Sequence, residues 1–210
     1  MRTFRLVQRY APMAMACTAA ALLTACSAMQ HSSGSSHNNS HGKSHNNSHS
    51  NSHSGFSQKT LPAPIQVPEG HKVAWETVGS GTITYECKDK ANAPGQTEWV
   101  FAGPDAVLKD RAGQQVGRYY GPPATWEASD GSKLTATQLA VAPSGAGNLP
   151  YQLVKANPAM GQGNLVGVSY IQRVALQGGV APSDKPCTAA SKGQKTTVPY
   201  QADYIFWKPM

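Results

Sequence analysis

From Leu61 to the C-terminus no stretch carries sustained helical periodicity; short apolar runs are broken instead by Gly, Pro, Asn and Asp, and that pattern commits this part of the chain to β structure. The run Thr82 to Cys87 shows it most plainly. Ile83, Tyr85 and Cys87 alternate with Thr82, Thr84 and Glu86, so a strand here buries one face and wets the other. The closing run Val198 to Lys208 places Val198, Tyr200, Ala202, Tyr204 and Phe206 on one face, and Ile205 and Trp207 make its end apolar on both. Further strands are expected at Val73 to Val78, Glu98 to Ala102, Gln114 to Tyr120, Lys133 to Val141, Tyr151 to Lys155 and Leu165 to Val174. About eight to ten short strands in one domain imply an all-β fold, a single antiparallel β-sandwich or barrel.

The N-terminus reads as an address. Arg2, Arg5 and Arg9 precede an uncharged stretch from Ala11 to Leu23, too short to span a bilayer and of the length of a signal-peptide apolar region. At its end Leu23-Thr24-Ala25-Cys26 resembles the bacterial lipobox at all four positions. That resemblance implies cleavage before Cys26, a diacylglyceryl group on its thiol and acylation, for example by palmitate, of its freed amine. Each buried methylene adds roughly 0.8 kcal/mol, so a multiply acylated cysteine holds firmly to a membrane. Bacterial lipoproteins retained at the inner membrane tend to carry Asp after the cysteine; Ser27 stands here, which favours the outer membrane. The competing reading is ordinary cleavage after Ala14-Met15-Ala16.

The four cysteines agree with export. Cys17 leaves with the signal and Cys26 is alkylated, so Cys87 and Cys187 remain as an even pair in an oxidising compartment. They lie at the two ends of the β region, and a bond between them staples a loop of about 100 residues, worth up to about 4.7 kcal/mol in chain-entropy accounting.

Between the anchor and the β region, Ser27 to Lys59 is almost entirely Ser, His, Asn and Gly. Such a segment buries too little to offset its ordering entropy and is expected to be a disordered tether, with an end-to-end distance on the order of 30 Å. A Ser-His pair recurs every four residues at His37, His41, His45, His49 and His53, with His31 outside the register. Neutral imidazoles at this density chelate zinc, nickel or copper ions without a preformed site; the competing reading is a solubilising linker. No cofactor is required by anything in the chain. The organisation is therefore residues 1–25 as lipoprotein signal, 26–59 as lipidated cysteine and tether, and 60–210 as one β domain.

The formal charge of +7 divides unevenly, because from Thr60 onward 13 Lys and Arg face 11 Asp and Glu. A domain at +2 has no electrostatic footprint for nucleic acid.

The β region resembles the domain-of-unknown-function family 3455 of bacterial envelope and secreted fungal proteins. The blocks that carry the resemblance are Ile83-Thr84-Tyr85-Glu86-Cys87, Trp99-Val100-Phe101 with Pro104-Asp105-Ala106-Val107-Leu108, and Gly121-Pro122 followed by Thr125-Trp126-Glu127-Ala128 and Asp130-Gly131-Ser132. Further along come Ile171-Gln172-Arg173-Val174, Gly178-Gly179, Ala181-Pro182, Cys187 and Val198-Pro199-Tyr200-Gln201-Ala202-Asp203-Tyr204. The resemblance spans nearly the whole domain and implies no catalytic residue or cofactor; the histidine tract lies outside it.

Catalytic chemistry is sparsely supplied. The domain holds one histidine, His71, expected to be an ordinary strand-edge residue, and no nucleophile-elbow, zincin, Walker or cysteine-based metal motif occurs. Glu127 and Asp130 beside Trp126, with Tyr119 and Tyr120 nearby, have the dress of a carbohydrate-cleaving or carbohydrate-binding site. The plainer expectation is a strand ending at Trp126-Glu127 and a turn at Asp130-Gly131. Arg173, in an apolar strand, is expected to pair with a carboxylate or snorkel to water, with an acidic ligand as the alternative. The leading reading is thus a non-enzymatic outer-membrane or surface lipoprotein; the alternative is an envelope carbohydrate-active enzyme or binding module.

Overall fold

The structure, a computed structural model, describes residues 55–210. The signal, Cys26 and the six histidines of the tract, His31 to His53, lie outside the described residues. Eight strands follow: β1 (His71–Asp89), β2 (Thr97–Lys109), β3 (Gln115–Tyr120), β4 (Thr125–Ala128), β5 (Lys133–Ala142), β6 (Tyr151–Ala156), β7 (Tyr170–Gly178) and β8 (Lys195–Pro209). Each pairs antiparallel with the next, and β8 pairs back onto β1 from His71↔Pro209 to Glu86↔Lys195. The sheet is a closed up-and-down barrel, which leaves no edge strand exposed.

The expected all-β antiparallel fold is present with eight strands, within the range foreseen, but two of them are much longer than expected. Val73 to Val78 and Thr82 to Cys87 are halves of one 19-residue strand, β1. Gly79-Ser80-Gly81 reads as a turn in sequence, yet these glycines sit mid-strand because there is no room for side chains. A Cβ on Gly79 would lie 2.8 Å from the Tyr204 ring, and one on Gly81 would collide with the Asp105 carbonyl of β2. Likewise β7 begins at Tyr170 rather than Leu165; Leu165 is fully buried, but from a turn preceding the strand.

An eight-stranded barrel has an interior just wide enough to be filled by side chains or to hold one small ligand. Here inward alternation supplies Ile83, Leu108, Leu134, Ile171 and Phe206 together with a set of large aromatics. Tyr119 stacks on Trp126 with ring centroids 4.7 Å apart, and Tyr204 approaches both at 4.9 and 5.6 Å. The Tyr200 and Tyr204 hydroxyls hydrogen-bond each other at 2.7 Å.

A second apolar cluster lies on the outer wall. Leu153, Val174, Ile205 and Trp207 point away from the interior and are covered by the segment that precedes β1, through Ile65 and Val67, with Phe56 edge-on to Trp207 at 6.3 Å. Burying each of these side chains stabilises by roughly 1.5–3 kcal/mol. Hydrogen bonds fix the cover in place. Gln172 of β7, 0% exposed, donates through Nε2 to the Ile65 carbonyl at 2.7 Å and to Gln58 Oε1 at 2.9 Å, while its Oε1 accepts from Trp207 Nε1 at 2.9 Å. The backbone N–H of Val67 donates to the same Gln58 Oε1 at 2.7 Å, and that of Phe56 to Glu76 Oε1 at 3.0 Å. Ordered contacts with the barrel thus reach back to Phe56.

Candidate functional site

In an up-and-down barrel the connections alternate between two ends. The β1–β2, β3–β4, β5–β6 and β7–β8 connections share one end, and the disulfide lies there. Cys87, near the end of β1, is bonded to Cys187 in the β7–β8 connection, with Cα atoms 5.5 Å apart and 100 residues of chain between them. The same connection is tied down by Trp99 Nε1 donating to the Lys185 carbonyl at 2.7 Å, Thr97 Oγ1 to the Cys187 carbonyl at 2.8 Å, and the buried Tyr85 hydroxyl to the Gly179 carbonyl at 2.6 Å. The pairing expected from cysteine counting is the one formed.

At the same end of the barrel the interior opens into a pocket of about 330 Å³. Its floor is Tyr119 and Trp126, its walls include Ala136, Val154 and Leu149, and the exposed Phe101 and Val141 form part of its rim. Gln138 of β5 and Gln152 of β6 also line it, joined by a 2.6 Å hydrogen bond from Gln152 Nε2 to Gln138 Oε1. Arg173 of β7 completes the lining. In the sheet it stands opposite Gln152 and Tyr204, whose side chains also face inward.

Arg173 corrects the sequence expectation. It is 8% exposed, so it does not snorkel, and among the described residues none of the ion pairs includes it. β7 turns its odd-numbered residues Ile171 and Arg173 inward, whereas the carboxylates Glu76, Asp203 and Glu127 are on the outer wall with Arg111 or Arg118. Arg173 Nη2 donates to the Pro150 carbonyl at 2.9 Å, but its Nε has no acceptor in the protein, and neither has Trp126 Nε1. Two residues of the pocket lining, Arg173 and Trp126, thus each carry a buried donor without a partner. Such groups are uncommon in folded proteins because leaving a buried donor unsatisfied costs about 1–3 kcal/mol.

The electrostatics of the interior are one-sided. Burial pushes the hydroxyls of Tyr85, Tyr119, Tyr200 and Tyr204 above the ordinary tyrosine range, against an opposing pull from Arg173 in each case. All four remain neutral at physiological pH, so none supplies a counter-charge to the guanidinium.

Glu127 and Asp130 share no hydrogen-bond partner. Glu127 alternates with the inward Trp126 and therefore faces outward, where it accepts from the Tyr120 hydroxyl at 2.7 Å and from Arg118 Nη2 at 3.3 Å. The Tyr120 bond, more than the arginine, holds its carboxyl below the ordinary glutamate value. Asp130 is in the β4–β5 turn, at the end of the barrel away from the disulfide, where Gly131 takes φ +87° as expected for an Asp-Gly turn. It accepts from the Ser132 hydroxyl at 2.6 Å, the Ser132 amide at 2.9 Å and the Asn164 amide at 2.7 Å, which together lower its pKa. A Cβ on Gly163 would overlap this carboxylate, so Asp130 and Gly163 pin the β4–β5 turn to the β6–β7 connection. His71 opens β1 with Nδ1 3.0 Å from the Pro68 carbonyl and its ring 5.0 Å from that of Tyr170, the strand-end role expected. Among the described residues no cluster of three or more His, Cys, Asp or Glu side chains could hold a metal ion.

Sequence reasoning missed Gln138, Gln152, Ala136, Leu149 and Pro150 as pocket residues. The strand alternation carried part of the signal, since Ala136 and Gln138 share the inward face of β5 with Leu134; the two loop residues carried none. A family model described as protein of unknown function (DUF3455) matches residues 68–208. No curated protein and no solved structure matches the chain.

Proposed function

The chain belongs to the DUF3455 family, and from that premise we propose that it is a non-enzymatic, lipid-anchored envelope protein whose barrel binds a small molecule in its mouth. The observation that carries this reading is the pocket of about 330 Å³, two of whose lining residues, Arg173 and Trp126, carry buried donors without partners. Its volume falls at the small end of the range of roughly 300–1,000 Å³ for ligand sites, and its mix of apolar wall with a few convergent polar groups is their usual composition. Its lining is Phe, Tyr, Trp, Ala, Val, Leu, Pro, Gln and Arg, a set suited to holding a ligand and short of nucleophiles and general bases.

In this reading Cys26 carries the lipid, Ser27 directs the protein to the outer membrane, and the tract from His31 to His53 collects zinc, nickel or copper ions beside the anchor. The lipobox match supports the first assignment and the four-residue histidine repeat the last.

A thermal-shift screen of the full chain against small organic acids, neutral molecules and bases tests the barrel's role, because a ligand that binds only the folded state raises the melting temperature. At least one class should give a shift, and Ala136→Phe, which fills the pocket, should remove it. Absence of a shift from every class overturns the reading. For the anchor, Cys26→Ala should release the protein from the membrane fraction, and unchanged partitioning would refute lipidation there. For the tract, deleting residues 31–53 should abolish zinc binding measured by calorimetry, and retained affinity would place the metal elsewhere.

A further inference from the structure

The receptor reading leaves the ligand's chemistry open, and the pocket's own imbalance narrows it. Its one ionised lining residue is Arg173, held on the inner wall at 8% exposure, with Nη2 donating to the Pro150 carbonyl, the neutral Tyr200 hydroxyl nearby and Nε unpartnered. A buried charge is ordinarily paired, since its desolvation is offset only by an opposite charge and a full set of hydrogen bonds. Nothing on the inner wall supplies that charge. The aromatic hydroxyls around the guanidinium stay protonated, and among the described residues no carboxylate lines the pocket or forms an ion pair with Arg173. Trp126 Nε1 adds a second donor in need of an acceptor.

Resting on the receptor reading, we infer that the pocket binds a small organic monoanion, a carboxylate carried on a compact apolar or aromatic body, with Arg173 as its charge partner and Trp126 Nε1 as a further donor. A carboxylate supplies acceptors and a full negative charge, the chemistry with which guanidinium pairs most strongly. One cation favours a monoanion over a doubly charged phosphate. The body is set by the remaining surface: Tyr119 and Trp126 offer stacked ring faces, and Ala136, Val154 and Leu149 offer an apolar wall. Gln138 and Gln152, hydrogen-bonded to each other, add uncharged amide groups to the lining.

The test is titration calorimetry of the full chain with three probes of one shape and different charge: 2-naphthoate, 2-naphthamide and 2-naphthylmethylammonium. Naphthoate should bind at least about tenfold more tightly than naphthamide, as a charge-assisted contact does relative to a neutral one, and the ammonium should not bind. Arg173→Gln should erase the preference for naphthoate over naphthamide, and Trp126→Phe, which keeps the ring face, should weaken both. Equal affinity for acid and amide overturns the anion inference while the receptor reading stands. Failure of all three probes, with no thermal shift from any class, overturns the receptor reading itself. A preference for the acid that survives Arg173→Gln removes Arg173 as its source. If that variant does not fold, the selectivity of the unmodified chain and the Trp126→Phe titration decide the matter.

Discussion

Gln172 and Arg173 are consecutive residues of β7, both polar and both buried, and the barrel treats them oppositely. Gln172 faces outward beneath the Phe56-to-Val67 cover, where its amide makes three hydrogen bonds, with Ile65, Gln58 and Trp207. Arg173 faces inward and keeps a donor that the protein leaves unmet. Under the cover, polar groups close on one another and hold the structure together; at the mouth they remain open to something else. A buried polar group is therefore informative about function only once its partners are counted.

The disulfide tests most severely whether these two regions are parts of one cooperative unit. Cys187→Ser should cost up to about 4.7 kcal/mol by loop entropy, and calorimetry should show one transition at a lower temperature. Two transitions would mean that cover and mouth melt separately. Next in size, Gln172→Leu strips buried Trp207 Nε1 and the Ile65 carbonyl of their partner, at an expected cost of about 2–4 kcal/mol, with ligand binding in the mouth unchanged. A loss of binding equal to the loss of stability would erase the distinction between the two residues.

Arg173→Met should behave in the opposite sense. Removing a buried cation that lacks a counter-charge is expected to leave the melting temperature unchanged or raise it by a few degrees, while abolishing selection of acids over amides. A fall of the kind predicted for Gln172→Leu would make Arg173 structural too. The smallest effect is expected at Asp130, an exposed carboxylate that serves as a structural control. Its folded-state pKa is depressed below the ordinary 3.8, so its contribution to stability is present above that value and fades as the pH falls through the lower folded-state pKa. Asp130→Asn should flatten the acid limb of the stability curve slightly and leave ligand affinity alone; a changed affinity would bring the far end of the barrel into the site.

Much of the architecture was legible because period-two alternation depends only on which residues seek burial. Thr82 to Cys87 and Val198 to Lys208 declare their inner faces directly, Asp130-Gly131 declares its turn, and cysteine counting leaves Cys87 and Cys187 to pair. Gly79 and Gly81 misled because a glycine that ends a strand and one that admits a neighbouring ring or backbone are the same letter. The candidate site was legible only in pieces. Tyr119, Trp126 and Arg173 stand out in the sequence, but the two aromatics do so in company with Glu127, which alternation sends to the other side of the wall.

The sequence alone determined the local quantities: strand faces, turns and the cysteine pair, each a property of residues close in the chain or of their count. The tertiary structure decided the closure of β8 onto β1, the outer cover, and the meeting of Tyr119, Trp126, Gln138, Gln152 and Arg173 around one space. Those depend on register and on strands far apart in sequence becoming neighbours. Whether a buried guanidinium finds a carboxylate is settled only when the sheet has rolled up and fixed which face each residue shows.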